Sequence, residues 1–271
     1  MSAQACSGTA AIRLEGVVCT LGGKAVLDIG ELRIAAGERV AIVGHNGAGK
    51  STLLRLLSGF IQPERGMVCV LGQHLQAPMT PRQLRALRRE IGQVLQGLHL
   101  VQRLSALDNV LIGALGRTSG WRTWLRWPRA EQVAEAEAAL QEAGLLAKAD
   151  VRVDRLSGGE RQKVAFARMR MQRARLILAD EPTAALDPQA AIEVCVQLGH
   201  AAQQATLVSV VHNPALLPLL ADRVIGLRQG QIAFDLPVAQ VGDETLLDLY
   251  RAAPETRPGA LQDATLRPEP A

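Results

Sequence analysis

The run Gly44-His45-Asn46-Gly47-Ala48-Gly49-Lys50-Ser51 spaces its glycines, lysine and serine as G-x-x-x-x-G-K-[ST], the pattern of a loop that wraps phosphate oxygens. Glycines let backbone N–H groups turn inward around the anion. Lys50 can bring a positive charge to the β and γ phosphates of ATP, and the Ser51 hydroxyl can ligate Mg²⁺. Thr52 follows, in the first turn of the helix whose N-terminus adds its own partial positive charge. His45 occupies a free position of the pattern and reads as a solvent-exposed filler, with a pH-sensing role as the alternative.

A second group of residues suits the hydrolytic end of such chemistry. Leu176 to Ala179 is an apolar run that ends in Asp180 and Glu181. Two adjacent acids can divide labour: Asp180 holds Mg²⁺ through water, while Glu181 faces the γ-phosphate and orients or deprotonates the attacking water. Gln96 ends another strand-like segment and can reach the metal and the water through its amide. His212 closes the segment Thr206 to Val211 and can donate to the γ-phosphate.

These residues need a scaffold that delivers all of them to one edge. Val40 to Val43 reads as a strand buried on both faces, running into the glycine turn and then a helix from Ser51 to Leu57. Ile12 to Val18 and Ala25 to Ile34 read as antiparallel strands about the Gly22-Gly23 turn. Met67 to Leu71 and Ile91 to Gln96 add strands, with a helix between them capped by Thr80 and started by Pro81. Helical spacing then takes over: Ser105 and Asp108 resemble a capping box, Arg129 to Ala143 ends at Gly144, and Gly158 to Met171 follows. After these, Leu176 to Ala179, a helix from Pro188, Thr206 to Val211 and Val224 to Leu227 alternate strand with helix, the pattern of a mostly parallel sheet.

Composition narrows the function classes. The 271 residues carry 30 Lys+Arg against 26 Asp+Glu, a net +4 spread along the chain, so nucleic acid is not the expected partner. No apolar stretch reaches the roughly 18 residues that span a bilayer, and the start lacks the pattern of a secretory signal; a cytoplasmic protein is expected. Cys6, Cys19, Cys69 and Cys195 lack metal-type spacing and read as reduced thiols. Residues 252–271 hold four of the 13 prolines and read as a disordered tail after a single domain, 1–251.

Leu156-Ser157-Gly158-Gly159-Glu160 resembles the signature motif of ATP-binding cassette (ABC) domains and opens a helix, as that motif does. Its glycines and serine present N–H and O–H donors to an anion, by the same physics as the phosphate loop. Ala185-Leu186-Asp187 resembles the D-loop and His212 the switch histidine, and the likeness spans about residues 11 to 250. It implies an α/β P-loop NTPase core with a mostly parallel sheet, an N-terminal antiparallel β subdomain and an inserted helical subdomain at about 97–171. It also implies a homodimer, in which Ser157, Gly158 and Gly159 of one copy cap ATP held by the phosphate loop of another and Asp187 lies at the shared interface. Leu21 stands where such domains usually stack adenine on an aromatic ring.

The segment from Gln96 to Trp124, with Leu100 to Ser105, Asp108 to Gly113, Gly116-Arg117-Thr118 and Trp121-Arg122, is similar to the ATPase subunits of phosphonate importers, although Gly97-Leu98 departs from their Gln-Phe. That likeness implies separate transmembrane permease subunits, a solute-binding protein, and a location on the inner face of the membrane. The alternatives are import or export of another solute, or a soluble ABC ATPase acting on nucleic acid or ribosomes; the latter would normally carry a coiled-coil insertion, a tandem domain or a basic extension. Trp121, Trp124 and Trp127 alternate with arginines, suiting a membrane-facing or partner-facing helix as well as internal packing. Arg82, Arg85, Arg88 and Arg89 read as a solvated helix face.

Overall fold

The structure is a computed structural model that describes residues 10–75, 79–94, 100–117, 128–184 and 186–251. Strand β1 (Ala10–Leu21) turns at Gly22-Gly23 into β2 (Lys24–Ala35), and the two pair antiparallel along their length. β4 (Arg65–Val70) and β5 (Gln73–His74) complete a four-stranded sheet of order β2-β1-β4-β5. Inward residues such as Ile12, Leu14, Leu27 and Ile34 are fully buried, as the two-residue alternation of a one-sided sheet requires.

The second sheet has the order β10-β9-β3-β8-β7-β6, built from β3 (Arg39–Val43), β6 (Ile91–Val94), β7 (Leu176–Asp180), β8 (Thr206–Val210), β9 (Arg223–Arg228) and β10 (Gln231–Pro237). Strands β9, β3, β8, β7 and β6 run parallel, and β10 pairs antiparallel with β9 at the edge. One core lies between this sheet, the antiparallel sheet and α1 (Lys50–Leu57). Eight residues are too few to hold a helix in water. Burial of Leu53, Leu54, Leu56 and Leu57 holds α1 instead, at about 1.5–3 kcal/mol each.

On the opposite face α6 (Pro188–Ala202), α7 (Leu217–Leu220) and α8 (Asp243–Tyr250) cover the sheet and form a second core. A third cluster joins α3 (Ala106–Ile112), α4 (Ala130–Glu142) and α5 (Gly158–Gln172) through Val110, Leu140, Val164 and Met171. Phe166 and Met169 of α5 also enter the second core, so this helix fastens the helical region to the sheet. Helix α2 (Pro81–Glu90) starts with the expected cap: Thr80 accepts from the Gln83 N–H and the Gln83 side chain accepts from the Thr80 N–H.

Several expectations change in detail. β1, β2 and β9 run longer than their apolar cores suggest, because ladder hydrogen bonds continue through polar residues. Strand β10, with its alternating exposed and half-buried residues, and the short helix α8 were not anticipated. Cys19 and Cys195 are free and buried, but Cys69 is disulfide-bonded, with its partner outside the described residues. Spacing along a chain does not say which thiols a fold brings together. Gln96, Ala185, the Trp121–Trp127 segment and the tail at 252–271 also lie outside the described residues.

Candidate nucleotide site

Four of the elements deliver the candidate residues to the carboxyl edge of the parallel sheet. β3 ends at Val43 and the chain turns through Gly44 at φ 151, Gly47 at φ 81 and Gly49 at φ 102 into α1. A side chain at Gly44 would place its Cβ 2.1 Å from the Leu227 carbonyl oxygen, so close approach to β9 as well as backbone conformation demands glycine there. Farther on, the Gly230 N–H donates to the Ala48 carbonyl at 2.9 Å, which ties the loop to the β9–β10 turn.

Lys50 is the first residue of α1 and is only 6% exposed. Its ammonium donates to the carbonyls of Gly44 (2.7 Å) and His45 (2.9 Å). Burial lowers the Lys50 pKa, and the charges of Glu181 and Asp180 work against that shift. The Ser51 hydroxyl stands 3.4 Å from Asp180 Oδ1 at the end of β7. Asp180 is pushed above the usual carboxylate range, chiefly by burial; the Ser51 contact opposes this and the neighbouring Glu181 charge adds to it. A hydroxyl and a carboxylate oxygen side by side are the hard donors that suit Mg²⁺, which keeps several waters and takes few protein ligands.

Glu181 follows with φ 50, an uncommon left-handed conformation for a non-glycine residue. Its Oε1 is 2.6 Å from Nε2 of His212, two residues beyond β8. Strands β7 and β8 are paired neighbours in the sheet, which is why residues 31 apart in sequence meet. The loop, the Ser51–Asp180 pair and the Glu181–His212 pair thus converge at one sheet edge, with Lys50 beneath them.

The other candidates are placed elsewhere. Ser157 caps α5, accepting from the Glu160 N–H while Glu160 accepts from the Ser157 N–H. Nothing lies within 4 Å of where a side chain would project from Gly158 or Gly159, so these N–H groups sit on an open surface. Leu156 packs in the helical cluster, whereas Ala48 of the phosphate loop packs in the first core. Asp187 caps α6 by accepting from the Ala190 N–H at 3.0 Å. Asn46 is exposed, and Leu21, at the end of β1, is 45% exposed.

A profile described as ABC transporter matches residues 27–184, more than half of the chain. The chain belongs to the ABC transporter family. This ABC ATPase is 44% identical to the "Phosphonates import ATP-binding protein PhnC" of Stutzerimonas stutzeri over 90% of both chains. It is 48% identical to the protein of the same name from Anaeromyxobacter dehalogenans over 82% of its own length, and it spans 44% of the length of that relative. Among solved structures it resembles the dimeric, post-hydrolysis ATP-binding cassette MJ0796 bound to ADP and Pi, with a TM-score of 0.72, 28% identity, and coverage of 84% of this chain and 98% of that one. Among the described residues, no helix is long and apolar enough to cross a membrane.

Two contacts were missed in the sequence. His45 is exposed, as expected, but it also has a partner: its Nε2 lies 2.7 Å from the Tyr250 carbonyl, and its ring meets the Tyr250 ring edge to face at 5.1 Å between centroids. No periodicity could show this, because the partners are 205 residues apart. Gln162, 6% exposed, donates to the Pro182 carbonyl at 3.4 Å and so links the helix after Ser157 to the residue after Glu181. Of the α2 arginines, Arg82, Arg85 and Arg89 are exposed, as a solvated face requires, and Arg88 is half-buried. Arg85, Arg88 and Arg89 border a cleft of about 400 Å³ between α2 and β6 on one side and α3 and α5 on the other. Arg88 stacks its guanidinium 4.0 Å over the Phe60 ring and donates to the Ser58 and Gly59 carbonyls.

Proposed function

We propose that this chain is the ATPase of a phosphonate or related oxyanion importer, working as a homodimer beneath separate permease subunits and served by a solute-binding protein. The observation that carries the solute class is the 44% identity, over nine-tenths of both chains, to a protein named for phosphonate import. The convergence of the phosphate loop with Asp180, Glu181 and His212 supports the mechanism.

In that mechanism Lys50 exchanges the Gly44 and His45 carbonyls for β- and γ-phosphate oxygens, and the loop N–H groups surround the β-phosphate. Ser51 and Asp180 are the residues that would hold Mg²⁺, joined by the amide of Gln96, and when bound the ion would supply positive charge to the phosphates. Glu181 leaves its contact with His212 to orient the attacking water and take its proton, and His212 donates to the γ-phosphate. Ser157, Gly158 and Gly159 of a second copy close over the triphosphate, so one chain cannot complete a site alone. Asp187 stands at the seam between copies. Leu21 offers adenine an aliphatic surface.

The cleft lined by Phe60, Arg88, Arg89 and Arg168 lies between the sheet and the helical region, and it is where we place the permease contact. Among the described residues its lining carries arginines and no acidic side chain, which suits an acidic segment of the membrane subunit. The test is to express the chain with its genomic permease and binding protein and to measure ATPase activity in proteoliposomes. Stimulation by a phosphonate-loaded binding protein, at least several-fold over the unloaded one, is expected. Equal activity with and without phosphonate, but stimulation by another solute, would reassign the substrate.

A further inference from the structure

The carboxyl-terminal helix is fastened to the phosphate loop by contacts that nucleotide binding itself should disturb. Tyr250 is the last residue of α8, and its carbonyl is one of those that a helix leaves without an internal partner. A carbonyl can only accept, so the 2.7 Å contact makes His45 Nε2 the donor. The Asp248 carbonyl accepts from Arg228, at the end of β9, at 3.3 Å. The next turn after β9 holds the loop through Gly230 and Ala48. The end of α8, the end of β9 and the phosphate loop therefore form one hydrogen-bonded unit.

Helix α8 has only eight residues and no side-chain cap at its start, so its order depends on docking. Leu246 and Leu249 bury one side of it in the second core. A further attachment is His45, and the backbone of that same residue accepts from both the Lys50 ammonium (2.9 Å) and the Ala48 N–H (3.1 Å). Gripping a phosphate withdraws the ammonium from the His45 carbonyl, which changes the forces on the peptide that carries the imidazole.

We propose that His45 is a positioning residue that couples nucleotide occupancy of the phosphate loop to the docking of the carboxyl-terminal helix. The inference rests on the reading of residues 44–51 as the ATP site. Linkage makes the coupling reciprocal: what nucleotide does to the helix, the helix does to nucleotide affinity by the same factor. Any factor that engages the chain around Tyr250 thereby acquires a route to the ATP site without touching the reacting atoms.

The experiment is hydrogen exchange of the segment 243–251 in the full chain, with and without Mg-ADP, combined with Mg-ADP affinity by calorimetry. The diphosphate reports on the loop without closing a dimer. Exchange in the last turn of the helix should change at least threefold on saturation. His45→Ala should abolish that response and, because a contact that nucleotide disturbs opposes nucleotide binding, tighten Mg-ADP about fivefold, the scale of one hydrogen bond. His45→Gln, whose amide N–H can stand near the position of Nε2, should restore both. An unchanged exchange rate in the wild-type chain with nucleotide bound, or a full response in His45→Ala, overturns the coupling. Failure of the wild-type chain to bind Mg-ADP at all overturns the reading of the ATP site, and the coupling with it.

Discussion

Asp180 illustrates a conflict between stability and chemistry at a single residue. Burial raises its pKa above the ordinary carboxylate range, so the folded protein holds that proton more tightly than the unfolded chain does. The sign follows: the group costs no stability below its unfolded value, near 3.9, and the cost grows as pH rises through the raised native value. A divalent cation reverses the balance by favouring the ionised form. Asp180→Asn, which cannot ionise, should therefore raise the melting temperature of the nucleotide-free protein at pH 7.5. The gain should vanish as the pH is lowered through that window, and Mg²⁺-dependent ATP hydrolysis should be lost at every pH. Thermal unfolding followed from pH 4 to 8 checks the sign directly.

At the scale of elements, the loop between β3 and α1 is shaped by two different constraints. Gly47 and Gly44 both have positive φ, but a side chain at Gly47 would meet nothing within 4 Å, whereas one at Gly44 would strike the Leu227 carbonyl. Gly47→Ala bears conformational strain alone, about 1–2 kcal/mol. Gly44→Ala must in addition push the loop away from β9, which also loosens the turn held through Gly230. We expect Gly44→Ala to be the more destabilising of the two by at least about 1 kcal/mol, and to lose nucleotide binding more severely. Denaturant unfolding and Mg-ADP calorimetry on the pair separate the two effects; equal losses would remove the β9 contact from the account.

For the whole molecule, the decisive feature is that Leu156, just before Ser157, packs in the helical cluster while Ala48 of the phosphate loop packs in the first core. Under the proposed mechanism, the exposed turn at Ser157 is used by a second copy. Glu181→Gln should bind ATP, hydrolyse it at least about 100-fold more slowly, and accumulate as a dimer in Mg-ATP. Adding Ser157→Arg should return that protein to monomer while its ATP affinity stays within a few-fold, because the arginine obstructs closure and not the loop. Light scattering coupled to gel filtration reads both states. A double variant that still dimerises in ATP would contradict the shared site.

Much of this was legible in the chain because local physics imposes it. A glycine turn between a buried strand and a helix needs Gly44, Gly47, Gly49, Lys50 and Ser51 at fixed spacing, and a parallel strand must end in Asp180-Glu181 for those acids to reach the sheet edge. Thr80 and Ser157 announced their helices because a cap bonds to residues only three positions away, whereas the cap role of Asp187 was not read from the sequence. The tertiary structure alone decided what depends on partners distant in sequence: Glu181 turning onto His212, Gln162 reaching Pro182, the α2 arginines lining a cleft, and His45 held by Tyr250. The apolar and polar periodicities that specify strands and helices act over a few residues, whereas these contacts depend on how whole elements pack, and no short-range pattern encodes that.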